Sequence, residues 1–173
     1  MIDGAQNVRR YRLRTLGTLA FAGPEDDALL GKETHQRRRL ALLAVLAAAG
    51  MQGRSRDHLL VLFWRDATQP QARHSLEQLL YAIRSSIDEA VFVGVNPVRL
   101  NPAIISSDVA EFHSALERGD LEGAAKEYRG PFLDGFFLSD APEFEQWVDA
   151  ERARLSRSYC GVLERLAQSA EAA

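Results

Sequence analysis

The sequence contains one cysteine, Cys160, among 173 residues, so no internal disulfide can form, and a lone thiol fits a reducing cytoplasm. No apolar run approaches the roughly 20 residues needed to span a bilayer, so no membrane partner is expected. The longest run, LALLAVLAAAG, is only about half that length and begins near residue 40, too far into the chain for a signal peptide. Neither Gly-x-Gly nor Gly-Lys-Ser/Thr occurs, which removes the glycine-rich phosphate loops. The histidines, His35, His58, His74 and His113, fall on separate elements without an i, i+4 pair, and the single cysteine adds no metal-ligand pair. Asp134, Asp140, Glu143 and Glu145 gather near a Phe-rich stretch, but helix caps and solvated faces explain them better than paired-carboxylate catalysis. No catalytic residue, metal or cofactor is expected, and the chain reads as a non-enzyme.

What is present is a globular composition, 46% apolar and 26% charged, which argues against disorder. The net charge of −3 hides an asymmetry. Residues 1–105 hold 14 Lys/Arg against 10 Asp/Glu, whereas residues 106–173 hold 7 against 14. A basic part joined to an acidic part suggests two modules with different partners.

The segment VRRYRLRTLGTLAFAG alternates polar and apolar residues and predicts one or two short strands broken near Gly17. PEDDALLGKET reads as a turn-rich link with room for another short strand. Helical spacing then runs from Gln36 to Ala49, with Leu40, Leu43, Leu46 and Ala47 on one side and Gly50 as the C-terminal cap. Ser55 is placed to cap a second helix carrying Leu59, Leu60, Leu62 and Phe63. Pro70 opens a third, longer helix that runs to about Asp88. VFVGVNPVRLN reads as two strands around Asn96-Pro97, a hairpin.

Strands, three helices and a hairpin make a winged helix-turn-helix with a small N-terminal sheet. In the acidic module, Asp108 with Glu111 reads as a capping box, and Gly119-Asp120 joins two short helices into an αα-hairpin of the helical-repeat type. PFLDGFFLSDAP should pack against the helices. Asp140 with Glu143 reads as a capping box for a long helix over Pro142–Ala167, with Phe144, Trp147, Val148, Leu155, Tyr159, Val162 and Leu166 inward. The expected fold class is therefore α+β, mostly α: a winged helix over 1–105, with its hairpin wing, followed by a TPR-like α-helical segment over 106–173.

The third helix contains RHSLEQLLYAIRSSI. With about 100° per residue, Leu80, Ile83 and Ile87 fall within about 40° of Leu76, forming a buried stripe. Opposite lie Gln71, His74, Gln78, Tyr81 and Ser85, with Arg73 and Arg84 on a flank and Glu77 at the edge. That face carries no acid. Gln pairs with adenine, Arg with guanine or phosphate, and Tyr with phosphate or a thymine methyl. A solvated outer face of an ordinary core helix is the simpler account of the helix alone; the helix before it and the hairpin after it favour a DNA-reading helix. Arg99 in the hairpin would then reach a phosphate or the minor groove.

Several stretches also resemble a known family. RRRLALLAVLAAAG, SRDHLLVLFW, QARHSLEQLLYAIRSSI and VRLNP resemble the OmpR-type winged helix of the Streptomyces antibiotic regulatory protein (SARP) activators. SSDVAEFHSALERGDLEGAAKEYRGPFLDGF and FEQWVDAERARL are similar to the start of the bacterial transcriptional activation domain that follows it there. The resemblance implies a sequence-specific transcriptional activator that binds direct repeats in promoter DNA, with the helical part meeting a second protomer or RNA polymerase. It carries the DNA-contact role onto Arg73 and Arg84, and leaves His74, Gln78 and Ser85 where members vary, as residues of base choice. Two features depart from it. Ser85-Ser86 stands where the family is commonly basic, and the helical domain of the family continues for several more helices. The chain is therefore expected to be a fragment of a larger regulator or a short variant, with no receiver domain before the winged helix. The rival expectation is a protein-interaction module whose winged helix no longer binds DNA, motivated by the weak basicity of the third helix and a pI of about 5.8.

Overall fold

The computed structural model describes residues 11–23 and 34–172, with side chains from residue 36 onward in the second segment. The expected strand in the 24–33 link lies outside these residues. Strands β1 (Tyr11–Arg14) and β2 (Ala20–Ala22) pair antiparallel around the turn at Gly17, as the alternation predicts. Leu13, Leu16 and Phe21 point into the core. Helix α1 (Thr34–Ala49) begins two residues earlier than its spacing suggests. It departs more in its packing: every residue from Leu40 to Ala48 is buried, not one side alone. Its alanines allow neighbours to approach closely on the faces that leucines do not fill. Gly50 takes a positive φ of 55° and begins a short 3-10 turn, Gly50–Gln52.

Ser55 caps α2 (Arg56–Trp64), its side chain accepting from the His58 N–H at 3.2 Å. α3 (Gln69–Ser86) follows, burying Ala72, Leu76, Leu80 and Ile83. β3 (Phe92–Val93) and β4 (Arg99–Leu100) form the expected antiparallel hairpin.

A third strand, β5 (Ile105–Ser107), is absent from the sequence-based reading. It runs parallel to β1, with Tyr11 opposite Ile105 and Leu13 opposite Ser107. Three residues with one large apolar side chain carry no local strand signal; the pairing across about ninety residues makes the strand. The division at 105/106 falls inside it, and one hydrophobic core runs through both parts.

Helices α4 (Asp108–Glu117), α5 (Leu121–Glu127) and α6 (Pro142–Glu171) complete the chain. Gly119 (φ 72°) ends α4, and Asp120 caps α5 by accepting from the Gly123 N–H at 2.9 Å. The two expected capping boxes are not formed. At α4 the cap is Ser107, which accepts from the Ala110 N–H. Asp108 is instead buried and accepts from the N–H groups of Thr15 and Leu16 and the Thr15 hydroxyl, all at 2.8–2.9 Å. These donors belong to a buried turn after β1, and a carboxylate satisfies several of them at once. At α6 the cap is Ala141, without a side-chain bond. Asp140 pairs with Arg38 and Glu143 with Arg65, so tertiary ion pairs outcompete the local cap. α6 also runs four residues beyond Ala167.

The Phe-rich loop packs as expected: Phe132 and Phe136 are buried, while Phe137 stays exposed. Phe144 of α6 lies 5.4 Å from Phe63 of α2 and meets Phe136 edge-on, an aromatic seam between the first three helices and the last three. Arg37 crosses the same seam, its guanidinium 4.7 Å from the Phe136 ring and donating to the Phe137 carbonyl. No helix among the described residues is long and apolar enough to cross a membrane.

Candidate nucleic-acid interface

The outward side of α3 is a polar row. Gln71, Arg73, His74, Gln78, Tyr81 and Ser85 are all exposed. The helix has a single acid, Glu77, and it is engaged by Arg56 of α2. A face without free negative charge is what a polyanion requires. The structure thus brings six of the eight expected contact residues onto one accessible surface.

The remaining two are held more tightly. Arg84 is half-buried, its guanidinium 5.5 Å from the Phe92 ring of the hairpin. Arg99 is also half-buried, its Nε enclosed without a hydrogen-bond partner among the described residues. Its stem lies across Gly53, where a Cβ would come within 2.5 Å of the Arg99 Cγ. Gly53, at φ 67°, is therefore the residue that lets β4 sit against the turn before α2. Gln71 also has a second duty. Its side-chain oxygen accepts from the Thr68 N–H at 3.2 Å, closing the start of α3 and leaving only its amide N–H₂ outward.

Sequence reasoning missed Arg56. Its Nε donates to the Val95 carbonyl at 2.8 Å, its backbone N–H donates to Asn96 Oδ1 at 3.1 Å, and its guanidinium pairs with Glu77. One side chain thus ties the hairpin tip to two helices. Those partners lie 21 to 40 residues away, so no local pattern could have marked it. Arg54 adds a backbone bridge to Val98, with bonds of 3.0 and 2.9 Å. Partial burial, then the Arg54 charge, hold the His58 imidazole below its usual range, so it adds little positive charge at neutral pH.

Chemically, this surface can donate from arginine and amide groups, accept through hydroxyl and amide oxygens, and present an aromatic ring at Tyr81, which is 70% exposed. No group of three or more metal-ligating side chains occurs among the described residues.

No protein-family model matches the chain, and no curated protein sequence matches it. Among solved structures it is similar to Mycobacterium tuberculosis EmbR in complex with a low-affinity phosphopeptide, at 21% identity and a TM-score of 0.56. The likeness covers 95% of this chain and 50% of that one. What the two share is a fold. The present chain spans about half the length of that structure.

Proposed function

We propose that the chain is a sequence-specific, DNA-binding transcriptional regulator of the SARP type, acting as an activator. In this reading α1–α3 and the β3–β4 hairpin are an OmpR-type winged helix-turn-helix. α3 enters the major groove and the hairpin is the wing. α4–α6 are the first, TPR-like part of a bacterial transcriptional activation domain. The observation that carries the reading is the exposed polar face of α3, whose one acid, Glu77, is paired with Arg56, the residue that also fixes the helix beside the hairpin. The fold likeness to EmbR, a SARP-family regulator, supports it.

Arg73 and Arg84 contact guanine or phosphate, and His74, Gln78 and Ser85 set base choice. Tyr81 meets a phosphate or a thymine methyl. Gln71 contributes its amide N–H₂, and Arg99 acts from the hairpin. The partners are promoter DNA, a second protomer on that DNA, and RNA polymerase, in the bacterial cytoplasm. We assign the chain no catalytic activity.

The test is fluorescence anisotropy with labelled duplex DNA over a salt series. Salt-dependent binding, lost in Arg73→Ala/Arg84→Ala without loss of fold, is the expected result. A folded wild-type chain that ignores DNA at low salt would overturn the reading.

One set of observations favours a second reading, a protein-interaction module without DNA binding. Val93, Val95 and Tyr81 are exposed around the same surface, while Gln71, Arg84 and Arg99 are partly committed to internal contacts. Salt-insensitive association with a protein, and none with DNA, distinguishes it.

A further inference from the structure

α3 has two flanks, and only one carries charge of its own. Arg73, Glu77 and Arg84 lie along the flank that meets Arg56 and the hairpin. The other flank reads Ser75, Leu79, Ala82 and Ser86, which share a side at helical spacing and include no ionisable group. It borders a groove of about 430 Å³ whose opposite wall holds Arg38 and Arg39 of α1. Gln78, from the exposed face, lines the same groove.

The two arginines differ in what they face. Arg38 Nη2 donates to Asp140 at 2.7 Å, and its guanidinium lies 5.4 Å from the Trp64 ring. Its charge is neutralised locally. Arg39 is half-buried, and its polar contact is Nη1 to the Ser86 hydroxyl at 3.5 Å. Among the described residues no carboxylate pairs with it. An arginine stays protonated at any physiological pH, so among the described residues its charge stands without a carboxylate partner beside the C-terminal turn of α3.

We propose that Arg39 is a DNA-phosphate contact, supplying from α1 the positive charge that this flank of α3 lacks. The inference rests on the DNA-binding reading above and deepens it. A helix lying in the major groove is bordered by a phosphate backbone on each side. Arg73 and Arg84 face one backbone, and Arg39 answers the other. A phosphate contact carries no base information, so Arg39 should set affinity without setting sequence preference.

The experiment uses the full chain and labelled random-sequence duplex DNA, with binding measured from about 50 to about 200 mM salt. Arg39→Gln keeps most of the packed stem and removes the charge; Arg39→Lys keeps the charge. The expected result is weaker binding by Arg39→Gln, with the log–log salt slope reduced by about one unit. Its deficit against wild type should therefore narrow about three- to fourfold across that salt range. Arg39→Lys should restore most of the slope, and thermal melts should show all three proteins folded. A folded Arg39→Gln with the wild-type slope overturns the Arg39 contact and leaves the DNA reading standing. A wild-type chain that binds no duplex overturns both.

Discussion

α1 and α3 are close in length, 16 and 18 residues, yet they meet their surroundings in opposite ways. α1 is enclosed from Leu40 to Ala48, with Ala41, Leu42, Ala44, Val45 and Leu46 all at 0% exposure. α3 buries four residues and leaves a polar row outside. The contrast separates two tasks. A helix surrounded on every side can hold a domain together alone, so its neighbour need contribute only one stripe to the core. The rest of that neighbour is free to meet a partner.

The contrast breaks most directly in α1. Leu46→Ala should lower unfolding free energy by about 2–5 kcal/mol, as a cavity opens where nothing can collapse into it. Chemical denaturation measures this, and a loss comparable to a surface substitution would remove α1 from the centre of the core. Next in size is Asp108→Ala, which strands the Thr15 and Leu16 donors in a buried turn. We expect about 2–3 kcal/mol here, read in the same titration. Retention of wild-type stability would mean that water replaces the carboxylate.

A smaller effect is expected with pH. His113 of α4 shares a cleft with Ala48 and Ala49 at the end of α1. Burial, then the neighbouring Arg154, lower its pKa from the usual range. The unfolded chain then binds the proton more readily than the folded one, so stability is full above about pH 6.5 and declines as pH falls below it. The melting temperature should drop over that interval, and less steeply in His113→Gln. Identical slopes would acquit His113. Smallest of all is the predicted change at the α3 surface: Gln78→Ala should alter stability by no more than about 0.5 kcal/mol. It should nonetheless reduce discrimination between duplex sequences by about 1–3 kcal/mol. A stability loss like that of Leu46→Ala would erase the division between the two helices.

What was legible in the sequence follows the same line between local and distant causes. The cap at Ser55, the proline near the start of α3, the Gly119-Asp120 junction and the hairpin are written within a few residues, and each is where the pattern puts it. The exposed row on α3 was equally legible, because it needs only a helical period and one buried stripe. β5, the Asp108 acceptor and the Arg56 tie were not, because their partners lie tens of residues away. Asp140 and Glu143 have good capping chemistry, yet an arginine of α1 and one just past the end of α2 claim them. At the candidate site, the packing of Arg99 over Gly53 and the cap role of Gln71 depended on neighbours that periodicity cannot supply.

The parallel pairing of β1 with β5 has a practical consequence for anyone dividing this protein. The chain leaves the sheet after β2 and returns beside its own starting strand, so a cut at 105/106 would sever a strand rather than a linker. The upstream piece would keep Thr15 but lose Asp108, and the downstream piece would keep a carboxylate with nothing to hold. Each half, expressed by itself, would need to borrow from the other: the first through α4, the second together with β1.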